Sequence, residues 1–314
     1  MSGPKPLLGG VELGGTKCIC FIGTGPDDIR GQVTVPTGSE PQKTLRRIVD
    51  QLNAWQAVHG RICALGVASF GPIDLAPQSS TYGFITSTPK PGWRFVDVAG
   101  PLARAFDVPT SFDTDVNGAA LAEGRWGAAR ELADFAYLTV GTGVGVGLVV
   151  NGHLVHGFGH PELGHARVAR LAGDDWPGAC ALHFDCVEGL ASGTAIAARA
   201  GMPAEQLPAD SSVWQPVAHA LAQLLHIIVL ATAPRRIILG GGVTQSRPEL
   251  LVQVRKLLLQ SLNGYLALEQ LTGPIEQYVV APGLGSLAGP LGALALATDA
   301  YQSASRTASQ TVTS

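Results

Sequence analysis

Charge is scarce in this chain. Asp, Glu, Lys and Arg make up 14% of its 314 residues, and the formal net charge is −3. Lys and Arg form no cluster beyond isolated pairs such as Arg46-Arg47 and Arg235-Arg236. That leaves no electrostatic footprint for nucleic acid, and none is expected as a partner. The stretch from Met1 to Leu8 lacks a basic region followed by a long apolar core, which predicts no signal peptide. One charge-free run, Tyr278 to Thr298, has bilayer-spanning length. Pro282, Pro290 and several glycines break it, so it reads as a buried strand, a turn and a core helix, and no membrane span is expected. Cysteines number only five, an odd count without a secretory signal. This fits a reducing, cytoplasmic setting with thiol or metal roles better than a disulfide framework.

The familiar nucleotide fingerprints are also missing. Gly14-Gly15-Thr16-Lys17 lacks the upstream glycine of a P-loop. Gly141-Thr142-Gly143-Val144-Gly145 has no third glycine at dinucleotide spacing. Gly283-Leu284-Gly285-Ser286-Leu287-Ala288 fits the loose form, but too little chain follows it to complete a βαβ unit.

What the chain does have is apolar residues (46%) and 40 glycines set inside apolar runs. The length suffices for two domains. Leu7 to Ile22 reads as a hairpin broken by Gly14-Gly15, and Phe135 to Val150 reads the same way around Gly141-Thr142-Gly143. Each is followed by a strand closing on glycine, Ala64 to Gly71 and Arg236 to Val243. Helices fall between, with helical spacing over Pro41–His59, Asn117–Trp126, Val213–Ala231, Glu249–Leu266 and Leu287–Tyr301. The result is an approximate internal duplication of an α/β unit, which implies two facing halves. Two matched glycine turns, with Thr16, Lys17 and Thr142 at their tips, suit phosphate cradling by backbone N–H groups.

Spacing alone points to a metal site. Cys180, His183 and Cys186 fall three apart in a loop opened by Pro177-Gly178, and His165 precedes them. Two thiolates and two imidazoles suit a closed, structural tetrahedral Zn²⁺ site. The alternatives are two buried cysteines beside a surface histidine, or a Cys180–Cys186 disulfide. His153, His156 and His160 lie nearby and read as solvated spares, any of which could replace His165.

Five runs in order carry a resemblance: Gly10-Val11-Glu12-Leu13-Gly14-Gly15-Thr16-Lys17, Asp115-Val116-Asn117, Gly141 to Gly145, Glu162-Leu163-Gly164-His165 and Cys186-Val187-Glu188-Gly189. Together they resemble the ROK family of bacterial sugar kinases over about residues 8 to 298. Ser69 to Asp74, Thr86 to Trp93 and His160-Pro161-Glu162 resemble its fructokinase branch. Leu13 departs from the alanine usual in that branch, and Ala181, Leu182 and Phe184 depart between the metal ligands.

The resemblance implies a two-domain actin-like, hexokinase-like (ribonuclease H-like) α/β fold with a sugar/ATP cleft between the domains. The expected division is a small α/β domain over 1–116 and a larger one over 117–286 with the zinc loop at 160–186. A helix over 287–301 is expected to pack back on the first domain, and 302–314 to be a disordered tail. The resemblance also implies an ATP-dependent hexose kinase that forms homodimers, uses Mg²⁺, and takes D-fructose to fructose 6-phosphate. Asp115 matches the general base, against the alternative that it only caps the following helix. Thr114, Asn117, Glu162, His165 and Glu188 are placed around the sugar, with Asn117 equally readable as a structural amide. Gly14, Gly15, Thr16, Lys17, Gly141, Thr142 and Gly143 would hold phosphates, with Mg²⁺ near Glu12. Gly240, Gly241 and Gly242 would let adenosine approach the backbone. Glucokinase and mannokinase are the neighbouring activities. A silent sugar-binding protein would be expected to lose Asp115, and a ROK regulator to carry a helix-turn-helix before the first hairpin, where only about seven residues stand.

Overall fold

The computed structural model describes residues 5–266 and 273–311, which fall into two units. Unit 1 comprises residues up to Trp126, His156–His160 and the chain from Leu287 onward; unit 2 comprises Gly127–Val155 and Pro161–Ser286.

Unit 1 is built on a five-stranded sheet. Its strands are β1 (Leu8–Leu13), β2 (Lys17–Gly25), β3 (Asp28–Pro36), β4 (Ala64–Ser69) and β7 (Thr110–Thr114), in the order β3-β2-β1-β4-β7. The first three form an antiparallel meander, and β4 and β7 continue it in parallel. Every residue of β4 is buried, as expected of a parallel strand covered on both faces. A small ribbon of β5 (Phe84–Ile85) and β6 (Val96–Asp97) lies between β4 and β7 in sequence. Helix α1 (Pro41–His59) starts on a proline, where the lost N–H costs nothing, and buries Leu45, Ile48 and Leu52. Helix α2 spans Ala99–Phe106 and α3 spans Asp115–Trp126.

Unit 2 repeats the plan. Strands β8 (Phe135–Val140), β9 (Val144–Val150), β10 (His153–Leu154), β11 (Arg236–Gly240) and β12 (Val279–Val280) run in the order β10-β9-β8-β11-β12. Again the first three are antiparallel and the last two parallel. Its helices are α4 (Val187–Ala191), α5 (Gly193–Ala200), α6 (Trp214–Thr232), α7 (Gly242–Ser246) and α8 (Pro248–Leu262). Among the described residues, α6 is the one helix long and apolar enough to cross a membrane. It lies in the core of unit 2, where Leu221, Leu225 and Ile228 pack with Val254 and Leu258 of α8.

Two boundaries differ from expectation. The division at 116 is moved, because α3 belongs to unit 1 and packs on the long C-terminal helix Ala288–Thr311. The helices meet glycine to glycine: a Cβ on Gly292 would meet the Gly118 carbonyl carbon, and one on Gly118 would sit 3.3 Å from Gly292. The tail is the second correction. The C-terminal helix runs on to Thr311 instead of giving way to disorder at Gln302. Its buried portion, Leu291 to Ala297, supplies the costly nucleus, and adding each later residue is then cheap. Residues 312–314 of the expected tail lie outside the described residues.

Candidate active site

In unit 1 the parallel strands deliver two acidic groups to their C-terminal ends. Glu12 stands one residue before the end of β1, and Asp115 begins α3 directly after β7. Thr114 Oγ1 accepts the Asn117 N–H at 3.1 Å, which caps the helix. Asp115 Oδ1 accepts the N–H of its neighbour Val116 at 2.9 Å. Burial raises the Asp115 carboxyl to about 6. Glu12 is raised to about 7, first by burial and then by the charge of Asp115, with Lys17 opposing. Its Oε2 is buried without a hydrogen-bond partner. An orphaned acidic oxygen beside a second carboxylate fits a cation ligand, since removing either charge by proton or metal relieves both costs.

Asn117 is buried, and its Nδ2 donates to Asp113 Oδ1 at 2.7 Å. Asn117 thus makes an internal side-chain contact, and Thr114 Oγ1 serves as the helix cap.

The hairpin tips share a construction. In the first, Gly14 N–H donates to Lys17 O at 3.0 Å, while Thr37 Oγ1 donates to Gly14 O at 2.7 Å and Thr37 N–H to Thr16 O at 3.1 Å. In the second, Gly141 N–H donates to Gly143 O at 2.9 Å, Gly193 N–H to Gly141 O at 2.7 Å and Thr194 Oγ1 to Thr142 O at 2.8 Å. Each turn is pinned through its carbonyls, and Gly15, Thr16, Lys17 and Thr142 are exposed. Of the three glycines expected to admit adenosine, two answer to packing. A Cβ on Gly240 would meet Pro282 and the Tyr137 hydroxyl, and Gly241 sits at φ +96° against the Val140 backbone. Gly242, the first residue of α7, faces open space.

Unit 2 gathers the remaining polar residues. Glu162 is exposed at the head of the short turn Leu163–His165. Glu188, on α4, accepts the Val144 N–H at 3.1 Å through Oε2, so the second hairpin fixes its carboxylate. Its Oε1 lies 3.9 Å from His165 Nδ1.

That imidazole also faces the thiols. His165 Nδ1 is 3.7 Å from Cys180 Sγ and 3.6 Å from Cys186 Sγ, and His183 Nδ1 is 3.8 Å from Cys180 Sγ. All four ligand atoms lie within 4.8 Å of one another. A tetrahedral ion about 2.3 Å from sulfur and about 2.0 Å from nitrogen separates its ligands by about 3.3–3.8 Å. Three of the contacts match that spacing and the widest pair lies about 1 Å beyond it, so a small shift closes all four on one ion, and the two thiols are free rather than joined as a disulfide. Cys18 and Cys20 are different: burial pushes them up to about 11 and about 12, which keeps them as inert core thiols.

Two of the spare histidines, His156 and His160, have partners of their own. His156 Nε2 is 3.0 Å from Asp113 Oδ2, and His160 Nε2 accepts the Ile73 N–H at 3.0 Å. Neither joins the thiol cluster. The contacts of Asp113, His156 and His160 span 43 and 87 residues (156 − 113 and 160 − 73), which no local spacing encodes; only the resemblance of the His160-Pro161-Glu162 run to the fructokinase branch points to His160.

Two sheets of one strand order, each opening on a glycine-tipped hairpin, define an α/β protein of the hexokinase-like class. The chain belongs to the ROK family, whose pattern spans residues 8–300. It is 40% identical to a putative fructokinase of Bacillus subtilis over 94% of this chain and 97% of that one. It is 38% identical to a fructokinase of Pediococcus pentosaceus over 95% of this chain and all of the other. The crystal structure of a ROK hexokinase from Thermus thermophilus superposes with a TM-score of 0.74 at 26% identity, over 93% of this chain and 98% of that one.

Proposed function

We propose that the protein is an ATP-dependent hexose kinase whose acceptor is D-fructose, phosphorylated at its 6-hydroxyl. The observation that carries the reading is Asp115. Capping falls to Thr114, and the Asp115 carboxyl is raised by burial to about 6, near the pKa a general base needs at neutral pH. The sugar oxygen forms its bond to the γ-phosphorus as the bond to ADP breaks, and its proton passes to Asp115. Such transfers run on positioning and charge stabilisation more than on covalent chemistry.

Glu162, Glu188 and His165 are assigned to the remaining sugar hydroxyls, because a carboxylate can accept two hydrogen bonds from adjacent hydroxyls. The turns at Gly14–Thr16 and Gly141–Gly143, with Lys17, are assigned to the phosphates. Mg²⁺, held at Glu12, would neutralise phosphate charge. Zn²⁺ is the ion assigned to His165, Cys180, His183 and Cys186, where it would hold the 160–186 loop and orient His165. Five free cysteines and a need for ATP support a cytoplasmic setting. The choice of fructose rests on likeness to the two fructokinases above.

A coupled ADP-release assay over fructose, mannose, glucose and N-acetylated hexosamines tests this. Fructose should give the highest kcat/KM. A preference for glucose would overturn the fructose assignment and leave the kinase; no sugar-stimulated ADP release would overturn both.

A further inference from the structure

The segment His156-Gly157-Phe158-Gly159-His160 belongs to unit 1, although the chain before it and after it belongs to unit 2. Burial of apolar surface does not hold it there. Phe158 is fully exposed, and two of the other four residues are glycines with no side chain to pack. Gly157 N–H donates to Gly159 O at 2.8 Å, which makes the middle a tight turn. The anchors are the two imidazoles at its ends.

His156 Nε2 is 3.0 Å from Asp113 Oδ2, an atom that can only accept, so this nitrogen carries the hydrogen. The other oxygen of Asp113 takes the Thr114 N–H and Asn117 Nδ2, each at 2.7 Å. His156 thereby grips the residues on either side of Asp115. His160 bonds with the opposite sense: its Nε2 accepts the N–H of Ile73, a buried residue. Ile73 bridges to Ile85, and the neighbouring Pro72 carbonyl accepts the Thr86 N–H at 2.8 Å. One histidine thus holds the β7–α3 junction, and the other holds the stacked loops that carry Pro72 and Thr86. Glu162 follows His160 with a single proline between, so little slack separates the anchor from that carboxylate.

We infer that His156 and His160 are positioning residues for sugar binding, a two-point latch that fixes where the chain leading to Glu162 starts relative to Asp113 and Ile73. The inference rests on the kinase reading above. Loss of either imidazole contact loosens the hold on this segment, and with it the start of the chain leading to Glu162. ATP contacts are assigned to other residues and should be spared.

The test is steady-state kinetics of the full-length protein with fructose and ATP varied separately, on His160→Leu and His160→Gln. Leucine fills similar space but leaves the Ile73 N–H unsatisfied, whereas glutamine offers an acceptor oxygen. His160→Leu should raise the fructose KM by at least about tenfold, with the ATP KM unchanged within about twofold. His160→Gln should recover to within about threefold of wild type. The pair His156→Leu and His156→Gln should show the same split, and it decides the question if His160→Leu does not fold. Equal behaviour of the Leu and Gln variants, or equal shifts in both KM values, would overturn the latch. A wild type that phosphorylates no hexose would instead overturn the kinase reading and the latch with it.

Discussion

Thr114 Oγ1 accepts the Asn117 N–H at 3.1 Å, and this bond releases Asp115 from the capping role its place in the sequence suggested. Asp115 is the first residue of α3, raised to about 6 by burial. A carboxylate in that position is costly for the fold, which is the usual mark of a group kept for chemistry.

The pH profile should report it. Asp115 accepts a proton only when ionised, so kcat/KM for the sugar should fall about tenfold per pH unit below the raised value near 6. A limb near the ordinary 3.8 would remove Asp115 from the role.

Glu12→Gln should trade activity for stability. The folded Glu12 carboxyl is raised from 4.5 to about 7, chiefly by burial. The folded state therefore holds its proton more tightly, and wild-type stability falls as pH rises from 4.5 to about 7, then levels. In metal-free buffer the variant should gain on wild type across that window, by at most about 3 kcal/mol above pH 7. Denaturant unfolding at pH 5 and pH 8 measures it; equal differences at the two pH values would contradict the burial of this charge.

The metal cluster predicts one zinc per chain in purified protein. Cys180→Ser should lower both zinc content and melting temperature, and a chelator should reproduce the loss, because metal binding to such a loop is coupled to its folding. Active protein without zinc by elemental analysis would refute the assignment.

At the crossing of α3 with the C-terminal helix, Gly292→Leu should destabilise unit 1 by about 3 kcal/mol or more, since backbone atoms of Gly118 and Ala119 occupy the space. Gly15→Ala is the contrast. Its Cβ meets nothing, so stability should change little while the ATP KM rises if the turn holds phosphate. Urea titration of both variants, with the ATP KM of the second, checks the pair.

Much of this could be read from the sequence where apolar periodicity is strong. Helix α1 was expected over Pro41–His59 and is found there, and both glycine hairpins fall where Gly14-Gly15 and Gly141-Thr142-Gly143 interrupt apolar runs. Strand β3 was missed because it is a sheet edge with exposed Arg30, Gln32 and Thr34 and few buried residues. Strand β7, Thr-Ser-Phe-Asp-Thr, has one large apolar residue, and its pairing with β4 decides its conformation. The polar end of the C-terminal helix reads as disordered because its residues are small and polar, and it is helical as an extension of the buried Leu291 to Ala297 portion. At the site, the thiol–imidazole spacing was visible because three ligands are local. His156 and His160 read as spares, since their partners are fixed by tertiary structure alone.

The most direct test of the central claim is ADP release by wild type and Asp115→Asn with fructose as acceptor. The wild type should turn over, and the variant should keep its fructose KM while kcat falls by roughly 10²–10⁴, the span for losing a general base. An Asp115→Asn protein with unchanged kcat would contradict the account.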